Sequence, residues 1–187
     1  MATKNYHENV GIIEKELSMV LSRIDERQID EYISTLLQAE KVFFVGVGRV
    51  LLALEMTVKR LNHLGINACV VGAVNEPPIG PKDILVVGSG SGESIFPKHI
   101  TACAKRYDAK IVHLTSSPTS SIAQLADVIV DFHCGSKGGT GEYISIQPMT
   151  TLFEQSLVLF GDLVCLEIMA IKQLSLANVK LNHANLE

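Results

Sequence analysis

The sequence contains no apolar stretch of the ~18 residues that a membrane span requires. Its most apolar segment, Leu157 to Ile171, is interrupted by Asp162 and Glu167. It contains no Cys-x-x-Cys. Cys69, Cys103, Cys134 and Cys165 are too far apart to signal a zinc site or a redox pair. Basic residues are not in excess: 16 Lys and Arg stand against 20 Asp and Glu, and a net charge of -4 leaves no electrostatic footprint for nucleic acid. The opening residues, Met1 to Glu8, lack the charged-then-apolar layout of a secretion signal, so the cysteines read as free thiols. These absences set the expectation of a cytoplasmic protein without metal, membrane or nucleic-acid partner. What is present is 47% hydrophobic and 19% charged residues over 187 positions, enough for one sizeable core and too apolar for a disordered chain. An anionic ligand must then be held by a local feature, because the overall field does not attract it.

Five short runs are nearly continuous in hydrophobicity: Lys41–Val45, Asn67–Val71, Asp83–Val87, Lys110–Leu114 and Asp127–Asp131. Continuous rather than alternating runs fit strands covered on both faces, as in a parallel sheet. Between them lie segments of helical period, Val50–Leu64, Glu93–Tyr107 and Ser120–Ala126, while the Pro- and Gly-rich Gly72–Lys82 reads as a loop. Helices also flank the unit: Val10–Arg27 and Ile29–Glu40 before it, Thr151–Leu174 after a Gly-rich loop, Cys134–Gly141. The alternation predicts an α/β fold, a three-layer α-β-α sandwich around a five-stranded parallel sheet of flavodoxin or Rossmann type. One domain over 1–187 is expected, with N-terminal helices in 1–40, the sheet core in 41–131 and C-terminal helices in 150–187. The last long helix is apolar nearly all round, which predicts burial on several sides and a subunit interface.

Ligands of open α/β sheets bind at the carboxyl ends of strands, and two such ends carry suggestive loops. Gly46-Val47-Gly48-Arg49 follows the first strand; Gly88-Ser89-Gly90-Ser91-Gly92-Glu93-Ser94 follows the third. In the second, glycines let the backbone approach a ligand, serines supply hydroxyls, and the following helix offers free N–H groups and its dipole to an anion. The alternative is a Gly/Ser turn whose serines only cap the helix. Nucleotide motifs do not fit: Leu51 occupies the third glycine position of G-x-G-x-x-G, and no Lys follows the serine loop as a P-loop requires. A phosphate group on a small metabolite remains. Arg49 is a fork for phosphate or substrate oxygens, or the partner of a nearby carboxylate; Glu55 is a candidate to orient it.

These residues resemble the sugar isomerase (SIS) domain family, and within it the 6-phospho-3-hexuloisomerases. The resemblance spans nearly the whole chain. It is carried by Gly46-Val47-Gly48-Arg49, Lys59-Arg60-Leu61-Asn62-His63-Leu64-Gly65, the Gly88–Ser94 run, Ser145-Ile146-Gln147-Pro148-Met149, Leu152-Phe153-Glu154-Gln155 and the terminal His183-Ala184-Asn185-Leu186-Glu187. It implies a homo-oligomer, commonly a tetramer, and a cofactor-free isomerisation between 3-hexulose 6-phosphate and fructose 6-phosphate. It further implies phosphate binding by Ser89, Ser91 and Ser94, beside Gly48, Arg49 and Gly90, with Glu154 and His183 as the acid–base pair. Val50-Leu51 depart from the usual Ser-Gly after the arginine. The change removes one hydroxyl and adds an apolar wall, which points to another sugar phosphate or weaker binding. Thr150 stands where Gly is common.

The isomerisation moves a proton between neighbouring carbons through a cis-enediol. A carboxylate base and a proton-shuttling histidine suffice for it, so neither nicotinamide nor metal is demanded. On spacing alone, Thr151-x-x-Glu154 is a capping box. His183 acts only if the tail folds over a site, its own or a neighbouring subunit's. His63 is a weaker candidate, explained equally by helix packing. Two further readings of the chain are a non-catalytic sugar-phosphate sensor and an isomerase of a different ketose or aldose phosphate.

Overall fold

The computed structural model describes residues 5–135 and 145–186. Two helices, α1 (Tyr6–Leu21) and α2 (Glu26–Gln38), precede β1 (Val42–Val45), α3 (Arg49–His63), β2 (Ala68–Val70), β3 (Ile84–Gly88), α4 (Ile95–Lys105), β4 (Lys110–Thr115) and β5 (Val128–Asp131). The chain closes with α5 (Thr151–Ile171) and α6 (Leu176–Leu181). The strands form one sheet in the order β2-β1-β3-β4-β5, and every pair is parallel.

Alternate strand residues feed opposite faces. Val42, Phe44, Val86, Val112 and Val130 pack with α1, α2, α3 and α5; Phe43, Val45, Leu85, Val87 and Ile111 pack with Ala104 of α4, Ala109 and Ile122. Two covered faces explain why the strand runs are continuously apolar. The predicted three-layer α/β sandwich and its five parallel strands are observed, each strand within a residue of its expected bounds.

Helix bounds differ more. The expected first helix ran through Arg27, but α1 stops at Leu21. Asp25 caps a new helix by accepting the N–H of Arg27 at 2.9 Å. Ser120–Ala126 is not an α-helix: only Ala123–Leu125 coil, as a 3-10 turn. The short α6 follows a break at residues 172–175, where Ser175 forms a capping box with Asn178. Most of the expected Gly-rich loop Cys134–Gly141 lies outside the described residues, as do Met1–Lys4 and Glu187. Among the described residues, no helix is long and apolar enough to cross a membrane.

Helices α3 and α5 lie side by side and run the same way. Arg49 meets Glu154 at their starts, and Lys172 Nζ donates to the carbonyl of Leu64 at their ends. Between these contacts, a Cβ on Gly161 would fall 2.1 Å from Thr57 Oγ1, so the helices cross where only hydrogen fits. The parallel pairing puts both N-termini at the carboxyl edge of the sheet.

Candidate active site

In this strand order, chain connectivity reverses between β1 and β3, where a crevice opens at the strand ends. A cleft of about 330 Å³ occupies that point, lined by Val47, Gly48, Arg49, Val50, Gly88, Ser89, Gly90, Ser91, Ser94, Met149, Thr150 and Glu154. Three helix N-termini converge on it: α3 after Gly48, α4 after Ser94 and α5 after Thr150. None of these three cap residues accepts a backbone N–H of its own helix through a side chain. Away from the cleft, by contrast, Asp25 and Ser175 cap α2 and α6. Three uncapped N-termini concentrate partial positive charge and unsatisfied N–H groups on one small volume. A doubly charged phosphate ester suits that environment without a lysine cluster.

The serine loop is built for this position. Gly92 has φ +63, and a Cβ there would fall 1.8 Å from Ser120 Oγ, so the tight turn requires glycine. Ser89 is buried; its hydroxyl donates to Ser94 Oγ at 3.2 Å and accepts the N–H of Gly92 at 3.1 Å. Ser94 occupies the cap position of α4, yet its hydroxyl turns to Ser89 rather than to the helix. Ser91 is exposed and, among the described residues, its hydroxyl accepts the N–H of Glu93 at 3.3 Å. Glu93 ties the loop down from outside: it accepts the N–H and hydroxyl of Ser121 at 2.7 and 2.8 Å, and both bonds hold its carboxyl below the usual range.

Across the cleft stands Glu154, 8% exposed. Thr150 donates its hydroxyl to Oε1 at 2.7 Å, and Arg49 donates Nε to Oε2 at 2.5 Å. The Arg49 side chain is 66% exposed and reaches into the opening. The expected capping box is therefore absent. Thr150, not Thr151, is the cap residue; Thr151 gives its hydroxyl to the Pro148 carbonyl; the glutamate is spent on Arg49 and Thr150.

A model of the SIS domain matches residues 35–159. This chain belongs to the SIS domain family. It is 38% identical over 181 residues to a 3-hexulose-6-phosphate isomerase of Bacillus subtilis, covering 96% of this chain and 98% of that one. It is 31% identical to a 3-hexulose-6-phosphate isomerase of Mycobacterium gastri, covering 96% and 90% respectively. It superposes with a TM-score of 0.84, at 26% identity and covering 96% and 99%, on the crystal structure of a hypothetical Methanococcus jannaschii protein for which the molecular function of a 3-hexulose-6-phosphate isomerase was inferred.

Of the residues expected in this SIS site, Gly48, Arg49, Ser89, Gly90, Ser91, Ser94 and Glu154 line one cleft. Three do not. Glu55 faces solvent six residues along α3, where Arg49 has already turned to Glu154. His63 is buried at the far end of α3, and His183 packs on it with ring centroids 4.9 Å apart. Arg49 and His63 are the first and last residues of the 15-residue α3, roughly 20 Å apart. The tail thus does not fold over the cleft of its own chain. Val50, where the resemblance led to the expectation of a serine, is buried against Gly88 and forms an apolar wall of the cleft.

Two contributors escaped sequence reasoning. Thr150 orients the carboxylate, and its only signal is its place one turn before Glu154. His113, on β4, is fully buried beneath the serine loop, with Nε2 3.3 Å from the carbonyl of Ser89. That carbonyl can only accept, so the proton sits on Nε2 of a neutral ring. Burial pushes its pKa down to about 4. A lone polar residue inside an apolar strand run was its one trace. A larger groove of about 780 Å³ lies between α1, α2 and α5, but its aliphatic walls and its carboxylates Glu26, Asp30 and Glu167 offer an anion nothing.

Proposed function

We propose that the chain is a phosphosugar isomerase interconverting 3-hexulose 6-phosphate and fructose 6-phosphate. The observation that carries this reading is the convergence of three uncapped helix N-termini and a serine loop on a cleft whose opposite wall is a doubly held glutamate. The phosphate sits on the hydroxyls of Ser89, Ser91 and Ser94 and the start of α4. That anchoring aims the carbon chain at Glu154. The carboxylate takes the proton from C2 of the 3-ketose, the C2–H electrons form the C2=C3 bond, and the C3 oxygen takes a proton from solvent at the mouth of the cleft to become a hydroxyl. The enediol then returns the proton of its C2 hydroxyl to solvent, which repays the one taken up at the C3 oxygen, and regains a proton at C3 from Glu154, leaving the carbonyl at C2. Arg49, charged and exposed at the mouth, donates to the oxygens on which negative charge develops. No electrons leave the substrate, so the scheme uses no redox partner.

We further infer a homo-oligomer acting in the cytoplasm. Leu52 and Met56 of α3 are 60% and 58% exposed. With Val158 they form an apolar shelf that adjoins the cleft through Arg49 and Glu154. Such a patch marks an interaction surface, and a second copy seated there would bring its own histidines. The four cysteines are all free thiols, which fits a reducing compartment.

The test is Glu154→Gln, with interconversion of the two sugar phosphates followed by NMR. Turnover should fall by at least the ~10²–10⁴-fold that a positioned base supplies, while fructose 6-phosphate still binds. A variant with the wild-type rate overturns the assignment.

A further inference from the structure

Among the segments that this chemistry leaves without a role is Ser145-Ile146-Gln147, just ahead of the α5 cap. Its partner is Glu16 on α1, a carboxylate only 1% exposed. Three donors from the segment reach it: the Ser145 hydroxyl to Oε2 at 2.7 Å, the Ile146 N–H to Oε1 at 3.0 Å and the Gln147 side-chain amide to Oε2 at 2.9 Å. Ser145 Oγ in turn accepts the N–H of Gln147 at 3.0 Å. A carboxylate leaves water only where such bonds replace its hydration, and both oxygens accept from this stretch of chain.

The stretch leads directly into the site. The carbonyl of Pro148 accepts both the hydroxyl and the N–H of Thr151. Met149 follows at φ +58, in the left-handed region that a side chain disfavours. Backbone of that kind persists where its surroundings over-determine it. Thr150 then gives its hydroxyl to Glu154. Fixed contacts therefore run without a gap from α1, through 145–149, to the carboxylate in the cleft.

We propose that Glu16 is a positioning residue: by clamping Ser145–Gln147 it fixes the α5 cap and so the placement of the Glu154 carboxylate. The proposal rests on Glu154 being the base. The phosphate is held from β3 and α4, elements Glu16 does not touch, so the effect should fall on turnover rather than on substrate capture.

Glu16→Gln keeps the shape but leaves one acceptor oxygen where three donors need two. Misplacing a reacting group by about 1 Å costs up to ~10²-fold. The expected result is a fall of roughly 10- to 10²-fold in kcat and in solvent deuterium exchange into fructose 6-phosphate, with KM changed less than about twofold. Since a buried variant is also liable to unfold, Ser145→Ala and Gln147→Leu, at partly buried positions, are measured with it, together with thermal midpoints. Each should lower kcat in a folded protein, and pairing either with Glu16→Gln should add little. Wild-type kcat in the folded variants overturns the proposal, as do losses that only track the unfolded fraction. Glu154→Gln is run in parallel. If it is inactive while the Glu16 variants run at full rate, the clamp fails and the base stands; if it runs at full rate, both fail.

Discussion

The buried His113 makes stability depend on pH in a direction that can be worked out. Its ring is neutral in the folded state with a pKa near 4, because burial disfavours the imidazolium. In the unfolded chain the same ring titrates at about 6.5. Between these values the unfolded chain binds a proton that the folded one refuses. The contribution is therefore complete above pH 6.5 and is withdrawn as the pH falls towards 4. Each pH unit in that window is worth about 1.4 kcal/mol, so going from pH 6.5 to pH 5 should remove roughly 2 kcal/mol through this residue alone. The assay is urea unfolding at fixed temperature, from pH 7.5 down to 5.0, for the wild type and His113→Gln. Glutamine can still donate to the Ser89 carbonyl but cannot titrate. Carboxylates and the other five histidines, the buried His63 among them, contribute equally to both proteins, so the difference in slope isolates His113. Equal slopes between pH 6.5 and 5 would refute the reasoning, whatever the absolute stability of the variant.

Other outcomes follow from the same geometry. Ser89→Ala and Ser91→Ala each remove a hydrogen bond to a charged group, worth about 1.5–3 kcal/mol. KM for fructose 6-phosphate should rise roughly tenfold or more, and unchanged KM in both variants would discard the phosphate loop. Gly92→Ala forces a side chain into a left-handed turn and into Ser120. It should cost about 2–4 kcal/mol in urea unfolding, and a near-neutral result would show that the turn yields. If a neighbouring chain supplies the histidine, Glu154→Gln and His183→Ala chains, each inactive alone, should regain turnover when unfolded and refolded together. A mixture that stays inactive while it assembles would remove His183 from the mechanism.

The sandwich and the serine loop were legible in the sequence because both follow from local rules. A strand buried on two faces must be apolar along nearly its whole length, and the interiors of the five runs from Lys41–Val45 to Asp127–Asp131 are, His113 excepted; a turn that cradles an anion needs glycine and hydroxyl residues in succession, and Gly88–Ser94 supplies them. The helix bounds were less legible. Val10–Arg27 keeps its apolar period past the true end of α1, and only the cap at Asp25 breaks it.

Tertiary structure alone decided which charges meet. Thr151-x-x-Glu154 and Arg49 with Glu55 are plausible pairs along the chain, but α3 and α5 pack in parallel and carry Arg49 to Glu154 across 105 residues. The same packing sends His63 and His183 to the opposite end of α3, and it is the folded contact with Ser145–Gln147 that gives Glu16 a role. Propensity and periodicity are properties of neighbours in sequence. A pairing between helices depends on how ridges, a glycine at the crossing and strand order set their relative position, and no spacing in the chain encodes that distance.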